Sequence, residues 1–438
     1  METKKLYAIL SIFLLLLLAL LSSLAADYYV AVAPSGTGDC SSPANACELQ
    51  TALDTAAGNG ADDTIYLAVG TYDASYLAFT YLPTTPENRM LTLQGAGADS
   101  TTLDGGNANQ ILIIKTIGED SNAHITIRCM SLQNGNSTMP SSGGGLLVKT
   151  SSADITIEDS EFTGNSADYA GGAHARSYSG TVTLTNNTFS LNFAEDYGGG
   201  ANAGSYSVVV TLTNNTFSGN PARFGGGVYA YSNSGIVTFT NNTFSRNSAY
   251  ANGGGVFAPL NKNTATANIY INIAWDNKAI DIYTIDDWDN DGTGATVNLY
   301  NNDYNDFYIQ VGNNLSEENN INADPLFVYP ENDDFHLKAG SPCIDKGEPT
   351  APERPATDFE GDDRIIGAAP DIGVDEFALV TIEDILEDVE NLIDRGVLNQ
   401  GQGNALIAKL KTAEKMLNKG NTTAACNQLQ AFINQVQA

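Results

Sequence analysis

Positive charge is scarce in this sequence. Its 438 residues hold 20 Lys+Arg and 3 His against 51 Asp+Glu, a net charge of −31. Proteins bind phosphate backbones through Lys and Arg that displace counterions, so the balance argues against nucleic acid as a partner. No basic run offers itself to an anionic membrane surface either. The five cysteines form no Cys-x-x-Cys pair and no Cys/His cluster, which removes a zinc site. Beyond residue 25 no stretch approaches the ~20 apolar residues of a spanning helix, so no membrane insertion is expected of the processed chain. What is plentiful is glycine, 42 residues, together with a hydrophobic fraction of 42%. That fraction can bury a sizeable core and excludes wholesale disorder.

Residues 1–25 have the pattern of a secretory signal peptide. Lys4 and Lys5 precede an apolar run from Leu6 to Leu21, and Ser23 and Ala25 stand where a signal peptidase reads small residues, placing the cut after Ala25. The competing reading is a retained membrane anchor. Export favours cysteine oxidation. Cys40 and Cys47 flank a turn-forming stretch and are expected to pair, whereas the sequence does not pair Cys129, Cys343 and Cys426.

The middle of the chain repeats itself. Gly143-Gly144-Gly145 is echoed by triplets starting at Ala170, Gly198, Gly225 and Gly253, at spacings of 27, 28, 27 and 28. Phe162, Phe189, Phe217 and Phe244 keep the same period, and each is followed three residues later by Asn165, Asn192, Asn220 or Asn247. Such a period marks a solenoid, a propeller or an array. Alternating runs such as Thr181-Val182-Thr183-Leu184-Thr185 indicate half-buried strands. The repeat is too short for a propeller blade and lacks the regular Leu of a leucine-rich repeat. Three short strands per coil fit an all-β parallel β-helix, with Phe ladders in its core and Asn ladders hydrogen-bonding along its turns.

These motifs resemble known families. The Gly triplets with Phe-x-x-Asn are similar to the repeats of polymorphic outer membrane proteins and to the right-handed, pectate lyase-like β-helix family. The resemblance is sharpest over 143–258 and assigns the coils to 64–322. Autotransporter members carry a membrane barrel, and attachment by that route is not expected here. Before the coils, Leu49, Ala52, Leu53 and Ala56 at helical spacing and the strand from Asp63 resemble the opening of secreted β-helix proteins, an N-terminal cap at 26–63. After them, Asp324-Pro325-Leu326-Phe327, Asp334-Phe335-His336-Leu337, Cys343-Ile344-Asp345, Asp358-Phe359-Glu360-Gly361 with Arg364, and Asp371-Ile372-Gly373 resemble the C-terminal segment of choice-of-anchor Q proteins, 323–379. This segment is expected to cap the stack, with His336 and Arg364 paired to nearby Asp. Residues 380–438 resemble FIMAH, a small helical module of secreted bacterial proteins. Three helices are expected, with Ile382, Ile385, Leu386 and Val389, then Leu406, Leu410 and Leu417, then Leu429, Phe432, Ile433 and Val436 on their buried faces.

Chemistry is sparse. Asp287, Asp289 and Asp291 have the alternate spacing of a calcium loop, although an EF-hand would need Glu where Asn298 stands. The bland alternative is a solvated acidic turn. Related pectate lyases use Arg with carboxylate-bound calcium, but Arg128, Arg176, Arg223 and Arg246 do not recur at one phase beside Asp clusters. Asp159 with Glu161, or Glu195 with Asp196, are candidate acid–base pairs that equally suit exposed turns. His174 reads as structural. Outward Thr pairs (183/185, 211/213, 238/240) suggest a small flat array or simply strand-compatible residues, and the sequons at Asn186, Asn214 and Asn241 coincide with ladder positions. The expectation is a secreted or cell-surface adhesin-like protein that binds extracellular polysaccharide without cleaving it. The alternative is a polysaccharide lyase or glycoside hydrolase.

Overall fold

The computed structural model describes residues 25–436 except 87, 117, 119–122, 138–141, 261–263, 287–293, 310–313 and 379–380. Nearly all of the expected signal peptide therefore lies outside the described residues. Two compact units part between Phe377 and Ala378.

The first unit is a right-handed parallel β-helix. Its strands stack into an eleven-stranded sheet (A), two nine-stranded sheets (B and C) and a four-stranded sheet (D). One coil shows the order: Asp154–Glu158 in A, Glu161–Thr163 in B, Ser166–Tyr169 in D and Ala173–Ser177 in C, before Val182–Thr185 opens the next coil in A. The three strands expected per coil are thus four in the middle of the stack. The extra strand arises because the stretch after each ladder Asn runs extended and pairs with its counterpart, as Ala167 does with Ala194.

Register follows the repeat. Ile155, Val182, Val210 and Val237 lie over one another in sheet A, and Phe162, Phe189, Phe217 and Phe244 in sheet B. The four rings are buried and stack with centroids 4.8, 4.8 and 5.0 Å apart. Small residues on sheet C, such as Ala173, Ala175, Ala201 and Ala203, share the same core. At the corner after sheet B, Asn165, Asn192, Asn220 and Asn247 are fully buried. Each donates from Nδ2 to the next Asn Oδ1 at 2.9–3.1 Å, and to a carbonyl of the preceding coil. A second ladder at the corner between A and B runs Asn187, Asn215, Asn242, Asn272, Asn302. Both ladders satisfy backbone groups that a bend would otherwise leave unpaired and buried. The Gly triplets are set by contact: a Cβ on Gly226 would stand 2.5 Å from the Gly254 carbonyl oxygen of the next coil.

The N-terminal end is plugged. Helix α1 (Leu49–Asn59) turns Leu49, Ala52, Leu53 and Ala56 into the core, and Cys40 and Cys47 are disulfide-bonded with Cα atoms 4.8 Å apart. Cys129, Cys343 and Cys426 are free thiols.

The segment after the coils does not lid the other end, contrary to expectation. It packs along the side, at the corner between A and B. Asn214 donates to Thr357, Thr240 to Pro352 and Asn241 to Gly373, while Ile271 and Ile273 share a core with Phe327, Phe335, Leu337, Ile372 and Val374. The corner offers hydroxyls, amides and two isoleucines together, which is what the segment needs to bury itself. The outward Thr row is consequently covered: Thr183 and Thr185 are half-buried, while Thr238 and Thr240 are buried. The sequon residues Asn214 and Asn241 are also buried. The last strand of sheet A, Asn314–Glu318, is exposed throughout and carries Glu317 and Glu318, charges that discourage further strand addition.

The second unit holds α2 (Ile382–Asp394), α3 (Gln400–Leu417) and α4 (Thr422–Val436) around Val389, Leu406 and Leu410. Asn399 caps α3 in a capping box with Gln402. Leu417, Ile433 and Val436, expected inside, are exposed. No helix among the described residues is long and apolar enough to cross a membrane.

Phe217→Ala should destabilise the first unit by about 3–5 kcal/mol, because the ring leaves a cavity between two others; denaturant unfolding measures it. A chain cut after Phe377 should still melt cooperatively, since each coil contacts chiefly its neighbours. A non-cooperative melt would show that the helical unit supports the coils.

Candidate functional site

Sheet C presents the most developed outer face. Strand alternation gives it two rows of outward side chains. One runs Ile113, Leu147, His174, Asn202, Tyr229, Phe257, Tyr283, Tyr308, and the other Lys115, Lys149, Arg176, Gly204, Tyr231. Both rows change character along the axis, from aliphatic or cationic to aromatic.

In the aromatic half, Tyr229, Phe257, Tyr283 and Tyr308 stack with centroids 5.4, 5.3 and 4.7 Å apart and planes within 20°. Ring faces meet one another, so edges and phenol oxygens point outward. Tyr231 is laid differently. It stands at 88° to Tyr206, and a Cβ on Gly204 would come within 2.3 Å of its ring. Gly204 is therefore what lets an aromatic ring lie along the sheet. Burial pushes the Tyr231 phenol up to about 12, keeping it a neutral donor.

In the cationic half, Lys115 and Lys149 are exposed and Arg176 is half-buried. The Arg176 guanidinium lies 5.0 Å and 4.8 Å from the Tyr178 and Tyr206 ring centroids and hydrogen-bonds the Tyr206 hydroxyl. With Gln110, Ser142, Leu147 and His174 these three cations line a cleft of about 320 Å³ that holds no acidic side chain among the described residues. His174 is neutral. Burial, with Arg176 and Lys149 adding, pushes its imidazole down to about 3, and its Nδ1 is buried without a hydrogen-bond partner. Coils repeat at ~4.8 Å, and like charges directly opposite one another repel by about 1 kcal/mol per pair in water. Neither lysine has an ion pair among the described residues. This row is not apparent from the sequence motifs. Its signal was that Lys149 and Arg176 each stand six residues after the first residue of their triplets, Gly143 and Ala170.

The other candidates separate. Asp159 and Glu161 do line one cleft, about 300 Å³, with Asn186, Thr188, Asn214 and Phe359. Asp159 accepts from Asn186 at 3.1 Å, and burial, with Asp99 adding, holds the Glu161 carboxyl above the usual range. Glu195 is exposed, and Asp196 pairs instead with Arg223 at 3.4 Å. Arg128 pairs with Glu158 at 3.5 Å and Arg246 with Asp333 at 2.6 Å, so the four coil arginines sit on different faces. Asp287, Asp289 and Asp291 lie outside the described residues.

His336, Glu360 and Asp375 are the one group among the described residues with metal-ligand proximity, yet their atoms are engaged with one another. His336 Nδ1 meets Asp334 at 2.6 Å and Nε2 meets Glu360 at 2.9 Å, while Asp375 accepts from the Leu337 amide at 2.7 Å. An imidazole donating at both nitrogens has no lone pair for a metal. Arg364 is fully buried; it donates to the carbonyls of Gly373, Val374 and Asp375 and to Asn214, and its ion-pair partner, at 4.0 Å, is Glu376 rather than an Asp. Burial opposes protonation of His336, but the bonds to Glu360 and Asp334 outweigh it and raise its pKa to about 9. A pKa raised on folding stabilises fully below the unfolded value of ~6.5 and is lost as pH rises through the folded one. His336→Gln should therefore lower Tm at pH 6, with the gap to the parent narrowing at pH 9.5. A gap independent of pH would mean the contact is one of packing alone.

Comparison with known proteins bears on fold. The model of the right-handed β-helix region matches residues 116–269, and that of the FIMAH domain matches 382–438. No curated protein matches. Among solved structures, the crystal structure of pectate lyase Pel9A is similar at 13% identity with a TM-score of 0.44, covering 82% of this chain and 97% of that one. The chain folds as a right-handed parallel β-helix, and its residues 382–438 are similar to the FIMAH domain.

Proposed function

We propose that this is a secreted or cell-surface protein whose β-helix binds extracellular glycan through sheet C, in an adhesin-like role without cleavage. The observation that carries it is the outer face of sheet C, where Tyr229, Tyr283 and Tyr308 place phenol groups on three of four successive coils, with buried Phe257 between the first two, beside the flat-lying Tyr231. A polymer laid along the axis meets a phenol on several coils of this half, and several modest contacts add to useful affinity. Aromatic side chains suit such a surface because they give large contact area and a polar tip at low entropic cost. The Cys40–Cys47 disulfide and the signal-like residues 1–25 support export.

A second reading rests on Glu161. A carboxyl held above its usual range beside Asp159 is what a general acid requires, and it favours the glycoside hydrolase or lyase alternative. Incubation with polyuronates and neutral glycans, with and without calcium, separates the two. Retention of intact polymer, weakened by Tyr231→Ala and Tyr283→Ala together, is expected. Reducing or unsaturated ends that vanish in Glu161→Gln would establish the enzyme instead.

A further inference from the structure

We propose that the glycan bound on sheet C is anionic, its carboxylate or sulfate groups held by the Lys115–Lys149–Arg176 row while the sugar rings continue over Tyr231. The inference rests on the glycan-binding reading and deepens it. A chain of net charge −31 has 20 basic residues in all, and three of them occupy adjacent positions of one row on successive coils. Folding alone does not favour this, because in-register stacking forces like charges together. Elsewhere on the coils the arginines are paired, Arg128 with Glu158, Arg223 with Asp196 and Arg246 with Asp333, while Arg89 and Lys278 stand singly without an ion pair among the described residues. Here no acid lines the cleft among the described residues.

A bound anion would relieve that repulsion and give the surroundings partners. Buried Nδ1 of His174 and buried Nε of Arg176, both residues of this cleft, have no hydrogen-bond partner among the described residues. Arg176 is held flat by Tyr178 and Tyr206, which fixes the guanidinium without neutralising it. Guanidinium groups fixed in this way recognise carboxylate and sulfate oxygens through their fork of donors. The acidity of the whole protein does not forbid it. At physiological salt charges more than ~8 Å away are largely screened, and among the described residues the charges lining the cleft are those of the row itself. The row is also continuous with the aromatic surface, since Arg176 lies over Gly204 and Gly204 beneath the Tyr231 ring. One ligand with acid groups and ring faces in alternation fits both halves.

The test uses the full chain and matched polymers: polygalacturonate and its fully methyl-esterified form, dextran sulfate and dextran, with duplex DNA and phosphatidylserine vesicles alongside. An anionic member of one pair should bind at least about tenfold tighter than its neutral partner and weaken with added salt. Preference for polygalacturonate identifies carboxylate, and for dextran sulfate, sulfate. Lys115→Gln/Lys149→Gln should lose most of that preference, leave neutral-polymer binding unchanged, and melt at or above the parent Tm at low salt; Arg176→Lys should keep part of it. Equal binding of charged and neutral partners, or a preference that survives the double substitution, overturns the anionic assignment and leaves glycan binding standing. Failure to bind any polymer overturns glycan binding as well. DNA or vesicles bound as tightly as the best polymer would overturn a glycan as the ligand of the row.

Discussion

Parallel, in-register stacking is the constraint on which the rest of this molecule depends. With coils repeating at ~4.8 Å, a residue's nearest neighbour is its own counterpart one repeat away. Only residues compatible with themselves are therefore tolerated in quantity. Phe over Phe gains ring stacking and excludes water; Asn over Asn passes a hydrogen bond from each amide to the next; Gly over Gly lets backbones approach to where a Cβ would collide. Lys over Lys fails the same criterion, which is why the sheet C row calls for an explanation outside folding.

The corners show how the constraint is met locally. From the coil at Cys129 onward, each bend between sheets A and B places a residue at positive φ: Cys129, Asp159, Asn186, Asn214, Asn241, Ile271 and Asn301. Asn and Asp visit this region readily, whereas a β-branched residue is strained there. Ile271 is nevertheless held at φ 58, fully buried, with its carbonyl accepting from the Gly373 amide. Burial in the core shared with Phe327 and Ile372 offsets the strain, so the returning segment and the corner depend on each other.

That returning segment divides the surface. By covering the corner between A and B it withdraws the Thr row and two sequons from solvent, and it confines Arg364, Glu376 and Asp375 to a buried network. On the outer rows of sheet C, Leu147, Asn202 and Phe257 are buried, whereas Lys115, Lys149 and Tyr308 are exposed.

The sequence by itself determined the coil. A period of 27 to 28 residues carried by Gly, Phe and Asn specifies stacked strands, because a repeat that short buries its apolar positions only against copies of itself. The plug at Leu49–Asn59 and the three later helices were legible for the same reason, their apolar spacing having a helical period. What tertiary structure decided was where non-repeating residues meet. Segment 323–377 has no period, so nothing in its spacing says that it runs along the side of the coils and covers Thr240. Lys115, Lys149 and Arg176 lie 34 and 27 residues apart in differently worded coils and are scattered charges in the linear chain. They become one cationic row only when the strands come into register. Periodic residues announce their neighbours because the neighbour is a copy; functional residues differ from their copies, and only the folded register says what stands beside them.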